Sequence, residues 1–553
     1  MSATGADVLL DVLRSEGVRH VFGNPGTTEL PLMDALSGVE DVSYVLALQE
    51  ASAAAMADAY AQATGRPAFL NLHTTVGLGN AAGNLANALA NGTPLVVTAG
   101  QQDERHLAAE PFLSGDLVGM ARALAKSAHE VRSPDELGTM LRRAFRDAAT
   151  PPTGPVFLSI RMDHLQRPAA PAPPRSTVRH TAVAGPLDEL ADRLCAAAAG
   201  EVALVLGDEV AHAGAVPATV ALAEALGATA YGAPLFGATV FPTTHDLWGG
   251  MLPLSTAAIR AALEGCATVL AIGANPFQTI SYTPGPPLAA GTVLLQLSAD
   301  PHALGRTEPV TLGASGAVAP TVEALTARVR ERADAAAVAA ARAAAAQRRR
   351  EEAERRRKLA DAGSATAPLH AATAARALMG ALPADTPLVA EAPTSGAFVR
   401  AFHDAGAPGT FFFGRGGGLG WAMPAACGLA LARGRRQPVL CAIGDGAAMY
   451  SPQALWTAAR ERLPVLFAIF DNGGYAILRD TLDDWDGRSR RTGDYVALEL
   501  DDPGVDFLHL AASMGVAATS VRSAEELAGA AAEAVAAGRP RLLHIPIAVA
   551  ERG

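Results

Sequence analysis

Two apolar runs end in polar tips at Asp445 and Asn472, 27 residues apart, and that spacing constrains the fold of this chain more than any other feature. The first run, Pro438 to Ile443, reads as a buried strand and stops at Gly444-Asp445-Gly446. A helical pattern follows from Pro452 to Arg462. A second apolar strand, Pro464 to Phe470, then stops at Asp471-Asn472-Gly473-Gly474-Tyr475. Strand, helix and strand in that span make one crossover unit, so both tips should lie at the same edge of a parallel sheet. That edge is where α/β sheets bind ligands. Glycines flanking Asp445 let a backbone approach a ligand where a Cβ would collide. A carboxylate, an amide oxygen and a nearby backbone carbonyl are hard donors that suit Mg²⁺, an ion that commonly keeps phosphates as further partners. A lone Gly-Asp-Gly could equally be an ordinary strand-end turn; the second half at this spacing favours function.

The same alternation of strand and helix recurs along the chain. An amphipathic pattern, Ala6 to Ser15, precedes strands at Val18–Phe22, Val42–Leu48, Pro67–Leu72, Leu95–Thr98 and Pro155–Ile160. An Ala-rich helix is expected from Ala51 to Gln62 and another helix from Pro134 to Ala149, with a Gly-rich segment at Thr75–Asn80. Thr27, Glu50, His73 and Gln101 each follow a predicted strand and should converge at one sheet edge. A Pro- and Ala-rich linker, Arg167 to Arg175, leads to a second unit with strands Val202–Leu206, Thr229–Tyr231, Thr268–Ile272 and Thr292–Leu297. No dinucleotide fingerprint opens it, and Gly273-Ala274-Asn275-Pro276 is a weak nucleotide signal. The stretch Val322 to Ala362 interleaves Arg348–Arg350 and Arg355–Arg357 with Glu351, Glu352 and Glu354, which reads as a solvated connecting helix. In the third unit a strand, Leu388–Ala390, ends at Glu391, and Gly414–Gly420 precedes a helix ending near Ala432. The expected fold class is α/β, three Rossmann-like doubly wound domains with parallel sheets, at residues 1–166, 185–335 and 365–553.

With half of the 553 residues hydrophobic, such a chain can bury large cores. The net charge of −11 argues against a nucleic-acid partner. No apolar run approaches the ~18 residues of a membrane span. Four cysteines without paired metal spacing, and no signal-peptide pattern, point to the cytoplasm.

The Gly-Asp-Gly and Asp-Asn pair resembles the diphosphate- and magnesium-binding motif of thiamine diphosphate (ThDP) enzymes. The segments Phe22–Pro31, Leu46–Glu50, Asn71–His73, Val97–Gln102, Gly417–Gly420 and Ala454–Ala459 are similar to those of bacterial benzoylformate decarboxylases. The likeness runs nearly end to end and is weakest in the central unit. It is specific for the 2-oxo-acid decarboxylase and acetolactate synthase superfamily. It implies the cofactors ThDP and Mg²⁺, with metal ligands Asp445, Asn472 and the Gly474 carbonyl, and further cofactor contacts at Gly417, Leu419, Gly444, Gly446 and Tyr475. It implies that Glu50 exchanges a proton with the pyrimidine N1′ and that the Gly417 carbonyl receives the 4′-amine. Leu419 would wedge under the bent cofactor, His73 would move protons on the substrate adduct, and Thr27 would hold the substrate carboxylate. The resemblance further implies a homo-oligomer, a dimer at minimum and a tetramer by expectation, because the Glu50 and Asp445 units of one site come from different subunits.

Departures from the family pattern bear on substrate. The branch's second histidine falls on Ile280, which cannot relay protons. Its pocket-lining Ala and Phe fall on Ile477 and Thr481, and Arg415 replaces a small residue. Gln101 completes the expected substrate pocket. Asp471 stands where the family carries Asn and adds a charge near the diphosphate. The expected activity is non-oxidative decarboxylation of a 2-oxo acid through an adduct at the thiazolium C2. The alternatives are a carboligase, in which an aldehyde or second oxo acid captures the adduct, and a catalytically reduced ThDP-binding subunit.

Overall fold

The computed structural model describes residues 3–273, 275–363 and 366–548. The chain forms two compact units: Met1–Val178, Ala362–Phe402 and Gly414–Gly553 make one, and Arg179–Asp361 with His403–Phe413 the other. The first unit holds two sheets. Across the N-terminal sheet the strands run Ser43–Leu46, His20–Gly23, Ala68–Leu72, Leu95–Gln101, Pro155–Arg161, Ser127–Glu130, all parallel. Across the C-terminal sheet, parallel strands run Leu388–Glu391, Val439–Gly444, Val465–Asp471, Arg541–Pro546, Ala517–Ser520. The second unit carries its own parallel sheet in the order Leu312–Ser315, Val293–Ser298, Thr268–Ile272, Val202–Leu206, Thr229–Gly232, Trp248–Met251. Inner strands such as Ala68–Leu72 and Val202–Leu206 are buried at every position, as a sheet covered on both faces requires.

In the N-terminal sheet the first strand lies between the second and the third, so strand order reverses beside His20–Gly23. A crevice opens at such a reversal outside the carboxyl ends of the strands, and here it receives the turn after Gly23 and the residue after Leu72, His73.

The two sheets of the first unit meet through helices. Glu50–Thr64 and Ala422–Ala432 are Ala-rich and buried along most of their length. Small residues let the backbones close up: a Cβ at Gly428 would sit 2.0 Å from the Met56 carbonyl oxygen. Inside this contact Asp58 is fully buried. It accepts hydrogen bonds from Trp421 Nε1 at 2.8 Å, Thr93 Oγ1 at 2.6 Å and Gln62 Nε2 at 2.7 Å. Burial raises its pKa against the pull of those donors.

Several elements differ from the sequence expectation. The Gly-rich segment at 75–80 is the start of a helix, Thr74–Ala90. Strands Ser127–Glu130, Trp248–Met251 and Leu312–Ser315 lie at or near sheet edges, where half-exposed residues replace the apolar run that marks a buried strand. Gln101 is the last residue of its strand. The connecting helix is two helices, Val318–Arg332 and Ala335–Ala362, broken at Asp334, whose carboxylate accepts from the Ala336 and Ala337 amides. On the second, Arg355 and Arg356 pair with Glu352. In the weak nucleotide segment Ala274 lies outside the described residues. At its start a Cβ on Gly273 would meet Glu209 Cβ at 2.4 Å, so the Glu209 side chain already occupies that space.

Candidate active site

Candidate groups gather at two sheet edges of the first unit. At the N-terminal edge, His73 follows strand Ala68–Leu72 and precedes helix Thr74–Ala90. Its Nδ1 donates to Glu29 Oε2 at 2.9 Å and lies 3.2 Å from Thr28 Oγ1. The carboxylate fixes the tautomer and leaves Nε2 outside that pair. The Glu29 hydrogen bond raises the His73 pKa, opposed by partial burial and helped by the charges of Glu29 and Glu50. Glu29 is itself 1% exposed and also accepts from the Gly26 amide at 2.9 Å, the Gly100 amide at 3.1 Å and Thr28 Oγ1 at 2.6 Å. A Cβ at Gly26 would sit 2.2 Å from His73 Nδ1, so the turn must be glycine for the imidazole to fit. Glu50 opens helix Glu50–Thr64, is buried, and its Oε2 accepts from Asn80 Nδ2 at 3.0 Å.

The hydroxyl that reaches His73 is Thr28; Thr27 is exposed. Gln101 donates through Nε2 to the Gly115 carbonyl at 2.9 Å and accepts from the Gln102 amide through Oε1. It faces a polar cavity of about 800 Å³ shared with Asp116, His129 and Ser159, not with Glu50 or His73. Glu29, Thr28 and Asn80 escaped the sequence reading. A Glu three residues after a glycine turn looks like a helix cap, and only the fold shows what it holds.

At the C-terminal edge a cavity of about 320 Å³ brings together Leu419, Gly444, Asp445, Gly446, Asn472, Gly474, Tyr475 and Ile477. Ala392 to Ser395, after strand Leu388–Glu391, form another wall. Among the described residues no lining residue precedes Ala392, so the cavity holds none of the N-terminal edge groups. Asp445 is 5% exposed and, among the described residues, its Oδ2 has no hydrogen-bond partner. Burial, followed by the charge of Asp471, pushes its pKa up to about 6 against the pull of the Gly446 amide. An orphaned, buried carboxylate oxygen calls for a partner, and beside an amide oxygen and a backbone carbonyl a hard cation fits it. Asn472 Oδ1 accepts from the Gly474 amide at 3.2 Å.

Asp471 is accounted for by its neighbours. Its Oδ2 accepts from His544 Nε2 at 2.8 Å and its Oδ1 from the Gly473 amide at 2.9 Å. Burial alone would raise its pKa; the His544 hydrogen bond, the Gly473 amide and the imidazole charge more than offset that, and the net shift is downward.

The remaining candidates lie outside the cavity. Gly417 has φ +74° in the exposed loop before helix Ala422–Ala432. The Arg415 amide donates to Asn91 Oδ1 at 3.1 Å. Thr481 is exposed, its hydroxyl bonded back to the Ile477 carbonyl at 2.8 Å. Ile280, in the second unit, is 69% exposed.

The thiamine pyrophosphate enzyme domains match along the chain: the N-terminal TPP binding domain at residues 3–121, the central domain at 187–325 and the C-terminal TPP binding domain at 394–545. A benzoylformate decarboxylase of Pseudomonas aeruginosa is 37% identical over 545 residues, 97% of each chain. A protein of Mycobacterium tuberculosis described as a putative acetolactate synthase large subunit is 29% identical over 98% of this chain and 99% of its own. Among solved structures, a thiamine diphosphate-dependent 4-hydroxybenzoylformate decarboxylase of Rhodococcus jostii superposes with a TM-score of 0.88 at 32% identity, over 100% of both chains. The chain belongs to the thiamine pyrophosphate enzymes. Its cofactor is thiamine diphosphate, and it is an enzyme of the lyase or carboligase kind. Among the described residues no helix is long and apolar enough to cross a membrane.

Proposed function

We propose that this chain is a ThDP- and Mg²⁺-dependent decarboxylase of a 2-oxo acid, of the benzoylformate decarboxylase type. The observation that carries the metal assignment is the unpartnered Asp445 Oδ2 in a cavity shared with Asn472 and Gly474. Asp445, Asn472 and the Gly474 carbonyl would hold Mg²⁺, and Gly444, Gly446 and Tyr475 would line the diphosphate. When bound, ThDP supplies a nucleophilic carbon and an electron sink for the bond that breaks. Leu419 in the cavity wall would keep the cofactor bent, with the Gly417 carbonyl accepting from its 4′-amine. Glu50, held at Oε2 by Asn80, keeps Oε1 to exchange a proton with the pyrimidine N1′. His73, with Nδ1 on Glu29, keeps Nε2 to give or take a proton at the substrate carbon. The Thr27 hydroxyl would bind the substrate carboxylate and Ile477 would form an apolar wall.

Two further parts of the reading rest on what the edges lack. The cavity around Asp445 contains no group from the Glu50 edge, so a second copy would have to supply it: a homodimer at least, and a tetramer by family likeness. Phe112 at 86% exposed and Trp485 at 72% are large apolar surfaces for such an assembly to cover. Free cysteines at 195, 266, 427 and 441 fit a cytoplasmic protein.

Incubating the protein with ThDP, Mg²⁺ and a panel of aryl and alkyl 2-oxo acids tests the reading. The expected result is CO₂ with an equivalent of aldehyde. The end-to-end likeness to an acetolactate synthase subunit favours ligation as the second reading, and 2-hydroxy ketone in place of aldehyde would establish it. No turnover of any acid would leave the reduced-subunit alternative, against which the intact Glu50–Asn80 and His73–Glu29 pairs argue.

A further inference from the structure

Glu391 ends strand Leu388–Glu391 and stands one residue before the cavity wall that starts at Ala392. It is 7% exposed and does not itself line the cavity. Its Oε1 accepts from the Gly420 amide at 2.5 Å and its Oε2 from the Ala422 amide at 2.6 Å; the Trp421 amide also points to it. These amides are the unsatisfied donors at the entrance of helix Ala422–Ala432, and the helix dipole favours a negative charge there. Burial nonetheless pushes the carboxyl up to about 7 against those three donors. A buried carboxylate whose two oxygens bridge the Gly420 and Ala422 amides does more than an ordinary cap, for which an exposed Ser or Asp is enough.

What the carboxylate holds is the loop that would carry the cofactor contacts. Gly417 and Gly420 both have positive φ, +74° and +84°, so the backbone reverses twice within four residues. The loop is fastened at three more places. Asn87 donates to the Gly418 carbonyl at 2.9 Å and accepts from the Gly418 amide at 3.1 Å. Ser451 Oγ donates to the Gly420 carbonyl at 2.7 Å. Asn91 holds the Arg415 amide. Between the Asn87 and Glu391 fastenings stands Leu419, the residue that reaches the cavity.

We propose that Glu391 is a positioning residue: its carboxylate, straddling the amides of Gly420 and Ala422, sets the height of Leu419 and the Gly417 carbonyl and so the bend of the bound cofactor. This rests on the ThDP site proposed above. Glu391 acts through the loop and lies outside the cavity that Asp445 and Asn472 line, so its loss should separate cofactor binding from cofactor activation.

The experiment uses the ThDP- and Mg²⁺-loaded enzyme and three variants: Glu391→Gln, Glu391→Asp and Asp445→Ala. Gln keeps the size but turns an NH₂ toward one of the two amides, so one hydrogen bond becomes a clash of donors. ThDP affinity is read by calorimetry and the rate of C2–H/D exchange in bound ThDP by NMR. For Glu391→Gln the affinity should stay within about threefold, because the diphosphate anchor is untouched. The exchange rate should fall by about tenfold to a hundredfold, the scale of a displacement of about 1 Å at a reacting group. Glu391→Asp keeps the charge and both acceptors and should recover part of the exchange. Exchange at the wild-type rate in a folded, ThDP-loaded Glu391→Gln variant overturns the proposal. So does equal loss of affinity and exchange, with no recovery in Glu391→Asp, which would make Glu391 a structural cap only. If Asp445→Ala leaves ThDP affinity unchanged, the site reading fails and the Glu391 proposal falls with it for that separate reason.

Discussion

At the N-terminal sheet edge the charged groups already have protein partners: Glu50 holds Asn80, and Glu29 gathers His73, Thr28 and two backbone amides. At the C-terminal edge Asp445 keeps a buried oxygen with no partner, while its neighbour Asp471 is engaged by His544 and Gly473. Both edges are built the same way, from parallel strands whose carboxyl ends carry polar residues. On the proposed reading, the difference separates two jobs. Proton transfer needs fixed tautomers and tuned pKa values, which the chain builds for itself. Holding a cation needs oxygens left unsatisfied until the ion arrives, because a carboxylate already paired would have to be released first.

The largest effect that would break this comparison is at the unpaired oxygen. Asp445→Ala should remove measurable ThDP retention, beyond the roughly tenfold to hundredfold loss typical of groups that only support a metal ligand. The fold should survive, since the missing carboxylate makes no structural hydrogen bond through Oδ2. Calorimetry with and without EDTA checks it; an unchanged affinity would show that the cavity is not the anchor.

Next in size is the division of labour within the N-terminal edge. Glu50→Gln keeps shape and the Asn80 contact but cannot exchange a proton. C2–H/D exchange in bound ThDP should slow by about 10²–10⁴-fold without any substrate present. His73→Ala should leave that exchange nearly intact and lower turnover, toward the upper end of the same range, because Ile280 offers no second proton relay. Equal slowing of exchange in both variants would merge the two roles into one.

A smaller effect tests whether Glu29 tunes His73. The His73 pKa is raised first by the Glu29 hydrogen bond. A raised histidine pKa contributes stability that is fully present below about 6.5, its unfolded value, and is lost as pH rises through the folded value. In Glu29→Gln the His73 titration followed by NMR should move down. The pH-dependent part of the stability difference from wild type should be largest in acid and vanish in base. A pair whose stability difference grew with pH would show that His73 is neutral in the folded protein.

How much of this was legible in the sequence follows the same divide. The Gly-Asp-Gly and Asp-Asn tips sit after long apolar strands, and strand ends of a parallel sheet converge by topology, so eight cavity residues could be named from spacing and resemblance. The Glu29–His73 pair spans 44 residues and depends on the reversal of strand order beside His20–Gly23, which no local pattern encodes. The helix Thr74–Ala90 was hidden by Gly77, Gly79 and Gly83, residues poor in helix propensity. The fold supplies a reason for the first of them: a Cβ at Gly77 would sit 3.3 Å from Glu50 Oε1 and 3.4 Å from His73 Cβ. Edge strands such as Ser127–Glu130 lacked an apolar run because one side of each faces no neighbour. The resemblance points to Thr27, and the hydroxyl that reaches His73 is that of its neighbour Thr28, a contact that no local pattern encodes.

The smallest expected effect concerns Asp471, the residue that departs from the family pattern. Its charge is the second cause, after burial, of the elevated Asp445 pKa. Its own charge is held by His544 and the Gly473 amide, which keeps it from being free repulsion toward a diphosphate. Asp471→Asn removes a neighbouring negative charge, so the Asp445 pKa should fall and protons should compete less with the cation. At pH 8 Asp445 is ionised in both proteins, and ThDP–Mg²⁺ affinity should differ by no more than about threefold, the scale of one partly screened charge. At pH 6 a larger share of Asp445 is protonated in wild type, where the Asp471 charge helps to raise its pKa, than in the variant. The ratio of affinities between pH 8 and pH 6 should therefore be closer to one in Asp471→Asn than in wild type. Titrating ThDP at both pH values in saturating Mg²⁺ measures that ratio. If it does not change, the Asp471 charge is cancelled by His544 as seen from Asp445, and burial alone raises the Asp445 pKa.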